Sequence, residues 1–318
     1  MISISAVNRT VILLAAILIM SAVWGFFRIP DANMLIVTFT FLTATFPVVN
    51  PSFRNRLKMA CIIACYSATI QFLISVLYDM PLMQIIVSSL FAYAAFSTLP
   101  DFRAGCIVMI TGYLAFFAPH GFLPAAARCI DIITGIPVIM AVTSLCRSNN
   151  SGIKYSVCSG KKSFMLAAAL GTGNFIARIL QLRQGAWIML TILFITMSET
   201  PEISEEKLAL QRIFAVPTGI ILGGAMLETF CRIDYNLVYL VPFIGAVGFF
   251  LLYNYGNFFL FSLFFMITLT IFSDWMTGPY HRFNFSDILV SRTIASFIGA
   301  IIIMIFNISS TSSARRMV

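Results

Sequence analysis

Charge is scarce in this chain. Twenty Lys and Arg with twelve Asp and Glu make up 10% of 318 residues, against 60% that are apolar. An average soluble domain carries about 25% charged residues, and a globule of this size still turns too much surface to water to hide such a composition. A mean hydropathy of +0.96 therefore excludes a soluble enzyme, a disordered chain and a nucleic-acid binder. The net charge of +8 does not bring nucleic acid back as a partner, because the basic residues stand between long apolar runs rather than in a patch. Histidine is scarcer still, with two residues. There is no Gly-x-x-x-x-Gly-Lys-Ser/Thr loop, no His-Glu-x-x-His, no Cys-x-x-Cys and no nucleophile elbow. Enzymatic chemistry, an ATP site of its own, a metal and a cofactor are thus not expected. The seven cysteines are odd in number and lie nearly all inside apolar runs. Cys61 and Cys65 are one helical turn apart with no His in a neighbouring run, so they read as packing residues rather than metal ligands.

What the chain has in quantity is long apolar runs. A helix needs about 20 such residues to span roughly 30 Å of hydrocarbon. The runs predict helices near 10–27, 32–49, 57–78, 82–99, 104–118, 125–146, 163–180, 185–198, 209–229, 236–253, 257–273 and 288–307. A barrel would alternate in blocks of about ten residues, which these runs do not. The expected fold is an all-α polytopic membrane protein with about twelve transmembrane helices, ten being the lower count. The runs 104–118 and 185–198 are short enough to be half-helices or re-entrant. The first run follows Arg9 as a signal peptide would, but no small-x-small cleavage site follows Ala22, so it is kept as a span. With the N-terminus inside, 13 of the 20 basic residues fall on the cytoplasmic side and 7 outside, giving N-in and C-in.

The chain also repeats itself. Asp31 to Thr43 aligns without gaps on Gln184 to Thr196, with Thr38 against Thr191 and Thr43 against Thr196. Arg128 to Gly135 aligns on Arg292 to Gly299, and the same Arg-x6-Gly spacing recurs at Arg212 and Gly219. Seven residues are two helical turns, so each Arg shares a face with its Gly. The Gly admits a close neighbouring backbone, and the Arg reaches along the same interface. The organisation expected is an N-terminal six-helix repeat over 1–146, a basic cytoplasmic linker at 147–162 and a C-terminal six-helix repeat over 163–318. An even number of helices per half makes these parallel repeats.

The residues Gln184, Gly185, Trp187 and Thr191, followed by Gln211, Arg212, Ile213 and Gly219, resemble the fusaric acid resistance and aromatic acid exporter family. The resemblance is clearest over 163–307 and weaker over 10–146. It departs from the family at Pro217, where Thr is more usual, and it looks like the short, nearly all-membrane members. The resemblance implies an inner-membrane efflux subunit in a bacterial cell. Its cargo would be small aromatic or other organic anions, driven by protons and handed to a periplasmic adaptor protein. A passive anion channel of the same fold, a membrane-embedded enzyme and an assembly factor are the other readings. Membrane lipid is the obligatory neighbour, and assembly into a homo-oligomer stays open.

Ionisable groups inside spans cost several kcal/mol (estimates start at about 2.5), so each marks a candidate site. Arg128 and Arg292 are the natural carboxylate clamps, since a guanidinium grips carboxylate with two parallel bonds; snorkelling to the headgroups is the plain alternative. Asp131, three residues after Arg128, can pair with it, whereas Ala295 holds that place after Arg292. Arg178 and Arg183 read as interface anchors. Arg212 opens its span beside Glu199, Glu202, Glu205 and Glu206, which predicts either an ion-pair network or a place to admit an anion. Proton coupling needs a titrating group. Asp131, Glu228 and Asp274 are the acids nearest the spans, and His120 and His281 follow Pro119 and Pro279 in corresponding outer loops. Trp24, Trp187 and Trp275 fit a lipid-interface belt, although Trp187 could stack on an aromatic substrate. The Phe-rich segment 249–265 reads as lipid-facing bulk.

Overall fold

The computed structural model describes residues 53–99, 102–117, 120–145, 159–182, 184–197, 205–234, 237, 240–277 and 285–315. Ten helices stand among them: α1 (Phe53–Val76), α2 (Pro81–Thr98), α3 (Phe102–Leu114), α4 (Phe122–Leu145), α5 (Gly160–Ile179), α6 (Ala186–Met197), α7 (Glu205–Ile233), α8 (Val241–Tyr255), α9 (Phe258–Thr277) and α10 (Phe285–Arg315). They answer to the third through twelfth apolar runs. The runs 10–27 and 32–49 lie outside the described residues, as does 147–158 of the linker expected at 147–162; its last residues, Gly160 to Lys162, already belong to α5. Four helices are long and apolar enough to cross a membrane, over Leu57–Val76, Pro81–Thr98, Glu206–Ile233 and Leu289–Phe306. The described residues are all-helical, and the chain is a multi-pass membrane protein.

Local chemistry sets the helix ends. Pro81 starts α2 from its first turn, where a missing N–H costs nothing. The Ser159 hydroxyl accepts from the Lys162 amide at the start of α5 (3.2 Å), and Asn257 Oδ1 accepts from Leu260 at the start of α9 (3.0 Å). Gly256 ends α8 in the left-handed conformation (φ 63°), which only glycine adopts without strain. The carbonyl of Ile74, near the end of α1, receives the Gln84 amide from α2. A terminal carbonyl thus finds a side chain where the bilayer offers no water.

The faces of α2 show which solvent it was built for. Its buried side is Gln84, Ser88, Ala92, Ala95 and Phe96, while Leu82, Met83, Ile86, Leu90 and Tyr93 are exposed. Large apolar groups outside and small or polar groups inside is the membrane pattern, because lipid tails welcome Leu as readily as a core does.

Two compact units divide between Phe175 and Ile176. In the first, α1 packs on α2, α3 and α4. Gly112 of α3 lies so close to α1 that a Cβ there would stand 2.7 Å from Ile70 Cγ1. In the second, α9 packs on α7 and α8, and α10 on α6 and α7. Val241, Ile267 and Ile271 form a core there with Met226, Leu227 and Phe230 around it. Gly219 and Gly223 of α7 make a Gly-x-x-x-Gly stripe against α9; a Cβ on Gly219 would come within 2.7 Å of the Leu263 carbonyl oxygen.

Helix α6 differs from the rest. Every residue from Ala186 to Thr196 is buried. Twelve residues rise about 18 Å, well short of the roughly 30 Å of hydrocarbon, and a helix apolar all round belongs inside a protein. Gly299 of α10 presses on it, with a virtual Cβ 2.6 Å from the Ile188 carbonyl oxygen and 2.9 Å from Thr191 Cβ. Gly299→Ala is therefore expected to destabilise the protein by about 1–3 kcal/mol, since a backbone carbonyl cannot step aside. A drop of several degrees in the melting temperature of the detergent-solubilised protein checks this; an unchanged value would mean that α6 and α10 are less closely packed.

Candidate functional site

The site is built from α6 outward. Trp187 and Phe194 are seven residues apart on this buried helix, so they share one face about 10 Å apart along its axis. Each carries a guanidinium over its ring. Arg292 of α10 lies 5.0 Å from the Trp187 ring, and Arg212 of α7 lies 4.9 Å from the Phe194 ring. Such cation–π contacts gain strength when water is excluded. Here it is: Arg292 is 5% exposed and Arg212 0%.

The two arginines differ in their polar partners. Arg292 Nε donates to Gln184 Oε1 at 2.6 Å, at the turn that begins α6. One turn further along α10, Ser296 stands 3.3 Å from Thr191. Thus Arg292, Ser296 and Gly299 form one stripe along α6. Arg212 reaches Ser262 of α9 through a long bond of 3.4 Å, while its Nε and Nη2 have no hydrogen-bond partner among the described residues. Around it, Phe194, Phe261 and Phe265 pack edge-on and stacked, with centroids 5.1 to 6.5 Å apart.

These contacts correct several expectations. No carboxylate pairs with Arg212 among the described residues. Glu206 is exposed, and Glu199, Glu202 and the Glu205 side chain lie outside the described residues. Trp187 belongs to no lipid belt: it is 4% exposed and lies under Arg292. The Phe-rich segment is partly core, with Phe258, Phe261 and Phe265 buried around Phe194. Hydropathy could not reveal this, because core and lipid both select Phe.

The remaining candidates are dispersed. Arg128 of α4, 5% exposed, donates to the Ser75 hydroxyl of α1 within the first unit. It turns inward rather than snorkelling. Asp131 lies on α4 and Asp274 on α9, but their side chains, like Trp24, Trp275, Arg183 and His281, lie outside the described residues. Glu228 is exposed on α7 and held by Arg232 at 2.9 Å, one turn along the same helix. His120 stacks on Tyr78, with ring centroids 3.3 Å apart. Arg178 sits half-buried in the last turn of α5. No group of three metal-ligating side chains occurs among the described residues.

A fusaric acid resistance protein-like family model matches residues 169–306, which run from α5 into α10. This region holds α6, its Trp187 and Phe194 rings and both arginines above them. The family points to a membrane transport function related to efflux. Neither a curated protein nor a solved structure matches the chain.

Sequence reasoning missed a set of uncharged residues in the first unit. Ser67, Gln71, Ser88 and Asn174 are buried side chains of α1, α2 and α5. Asn and Gln also cost energy in hydrocarbon, and that was the signal available in the sequence.

Proposed function

We propose that this protein is an inner-membrane efflux subunit that exports small organic anions, aromatic carboxylates among them. The observation that carries this reading is the pair of buried guanidiniums, Arg212 and Arg292, set over aromatic rings on one short buried helix. A guanidinium takes a carboxylate through two parallel hydrogen bonds, and Phe194 and Trp187 offer flat faces for an aryl ring. With the N-terminus inside, Arg212 lies toward the cytoplasm and Arg292 toward the outside, which orders them as an inner and an outer station. Ten to twelve membrane helices in two parallel repeats, proton coupling, delivery to a periplasmic adaptor and assembly into a homo-oligomer complete the proposal. It contains no chemical step and uses no cofactor.

Inside-out vesicles test it. Benzoate should accumulate against its gradient when the vesicles are energised, and a protonophore should abolish that accumulation. Flux that merely follows the benzoate gradient would replace the exporter with a passive anion channel. Absence of any protein-dependent flux, for benzoate and a panel of other organic acids, would overturn both.

A further inference from the structure

The first unit buries more hydrogen-bonding capacity than it satisfies. Ser67, Gln71 and Ser75 recur at every fourth residue of α1, so they form one stripe over two turns; all three are at most 1% exposed. The Gln71 amide donates to the Thr111 carbonyl of α3, but its Oε1 has no partner among the described residues, and neither has the Ser67 hydroxyl. On α2, one turn after the Gln84 that bonds the Ile74 carbonyl of α1, Ser88 gathers two more groups. Asn174 Nδ2 of α5 stands 3.5 Å from its hydroxyl, and the Tyr113 hydroxyl of α3 faces it without a hydrogen-bond partner of its own among the described residues. Asn174 Oδ1 has no partner among the described residues. Asn174 and Tyr113 are both 0% exposed. At its far end the stripe meets Ser75, which accepts from Arg128.

Polar side chains do join membrane helices, but such contacts satisfy both partners. Here the acceptors of two carboxamides and two hydroxyls are left over in a place shielded from bulk water. Each orphaned group costs roughly 1–3 kcal/mol unless something bonds it. Buried waters with two to four polar partners are the usual remedy, and this site is polar enough to hold them. The charge that this seam meets among the described residues is Arg128, at Ser75, so a cation would find no counter-charge there. Amides and hydroxyls both donate and accept, which suits water.

We infer that the first unit encloses a hydrated polar seam, lined by Ser67, Gln71, Ser75, Ser88, Tyr113 and Asn174, that brings a chain of water molecules to Arg128. It stands independently of the export reading, because it concerns what fills the first unit and not what the second unit moves.

Hydroxyl-radical footprinting of the unaltered protein in lipid nanodiscs tests this directly, since radicals form where water is ordered. Tyr113 should be oxidised about tenfold faster than Phe96, an equally buried aromatic of the same unit packed among apolar groups. In a background without native cysteines, S67C and Q71C should react with a hydrophilic methanethiosulfonate about tenfold faster than I70C, which is buried on the same helix. Tyr113 protected to the level of Phe96, or both cysteines no faster than I70C, would overturn the seam and leave these groups as helix–helix contacts. If the cysteine-free background fails to fold, the footprint of the native protein decides.

Discussion

Arg212→Met is expected to abolish the proposed export and at the same time raise the melting temperature of the purified protein. The two effects have one cause. Arg212 is fully buried among Phe194, Phe261 and Phe265, with one long bond to Ser262 and no carboxylate partner among the described residues. Removing a charge from water costs several kcal/mol even after relaxation, and nothing on α6, α7 or α9 repays it in full. Methionine has a similar volume, packs against aromatic rings and carries no charge. Replacing buried ionic groups by apolar ones of similar volume has stabilised other proteins by about 1–4 kcal/mol, which sets the expected rise. Loss of a carboxylate's two charge-assisted bonds should reduce benzoate transport by about 100-fold. A melting temperature that falls would show that Arg212 holds the fold together, and unchanged transport would remove it from the pathway. Arg212→Lys is the control: it keeps the charge but loses the planar fork, so transport should fall without the gain in stability.

Arg292→Gln should also abolish transport, again by about 100-fold, with protein level and membrane insertion unchanged. Arg292 differs from Arg212 in having a close neutral acceptor, Gln184 Oε1 at 2.6 Å, and the Trp187 ring below it. Gln184→Glu separates structure from binding. That substitution sets a permanent carboxylate on the guanidinium, in the place where a substrate carboxylate would arrive. The expected result is a protein at least as stable as wild type that transports poorly. Normal transport by either variant would sink the clamp. The aligned residue in the first half of the chain is Asp31, so such a pairing is within the chain's own vocabulary.

Much of the site was legible in the chain before any packing was known. Arg-x6-Gly spacing at Arg212 and Arg292 placed each Arg on the face of a glycine, and both glycines lie against neighbouring backbone: Gly219 on Leu263 and Gly299 on Ile188. The short run 185–198 stood out as brief enough to be a half-helix or re-entrant, and α6 is twelve buried residues long. Illegible were the positions of the aromatics. Trp187 and Phe261 read as lipid-facing, yet both are core.

The chain's own composition determines that it lives in a membrane as helices, because so few charges and such long apolar runs have no other stable home. It also determines which scarce cations deserve scrutiny. Only tertiary packing decides which apolar face meets lipid and which meets protein, since a bilayer and a protein core accept the same side chains. For the same reason, only packing could set Arg212 over Phe194 rather than beside a glutamate, and gather Gln71, Ser88 and Asn174 from three separate helices into one seam.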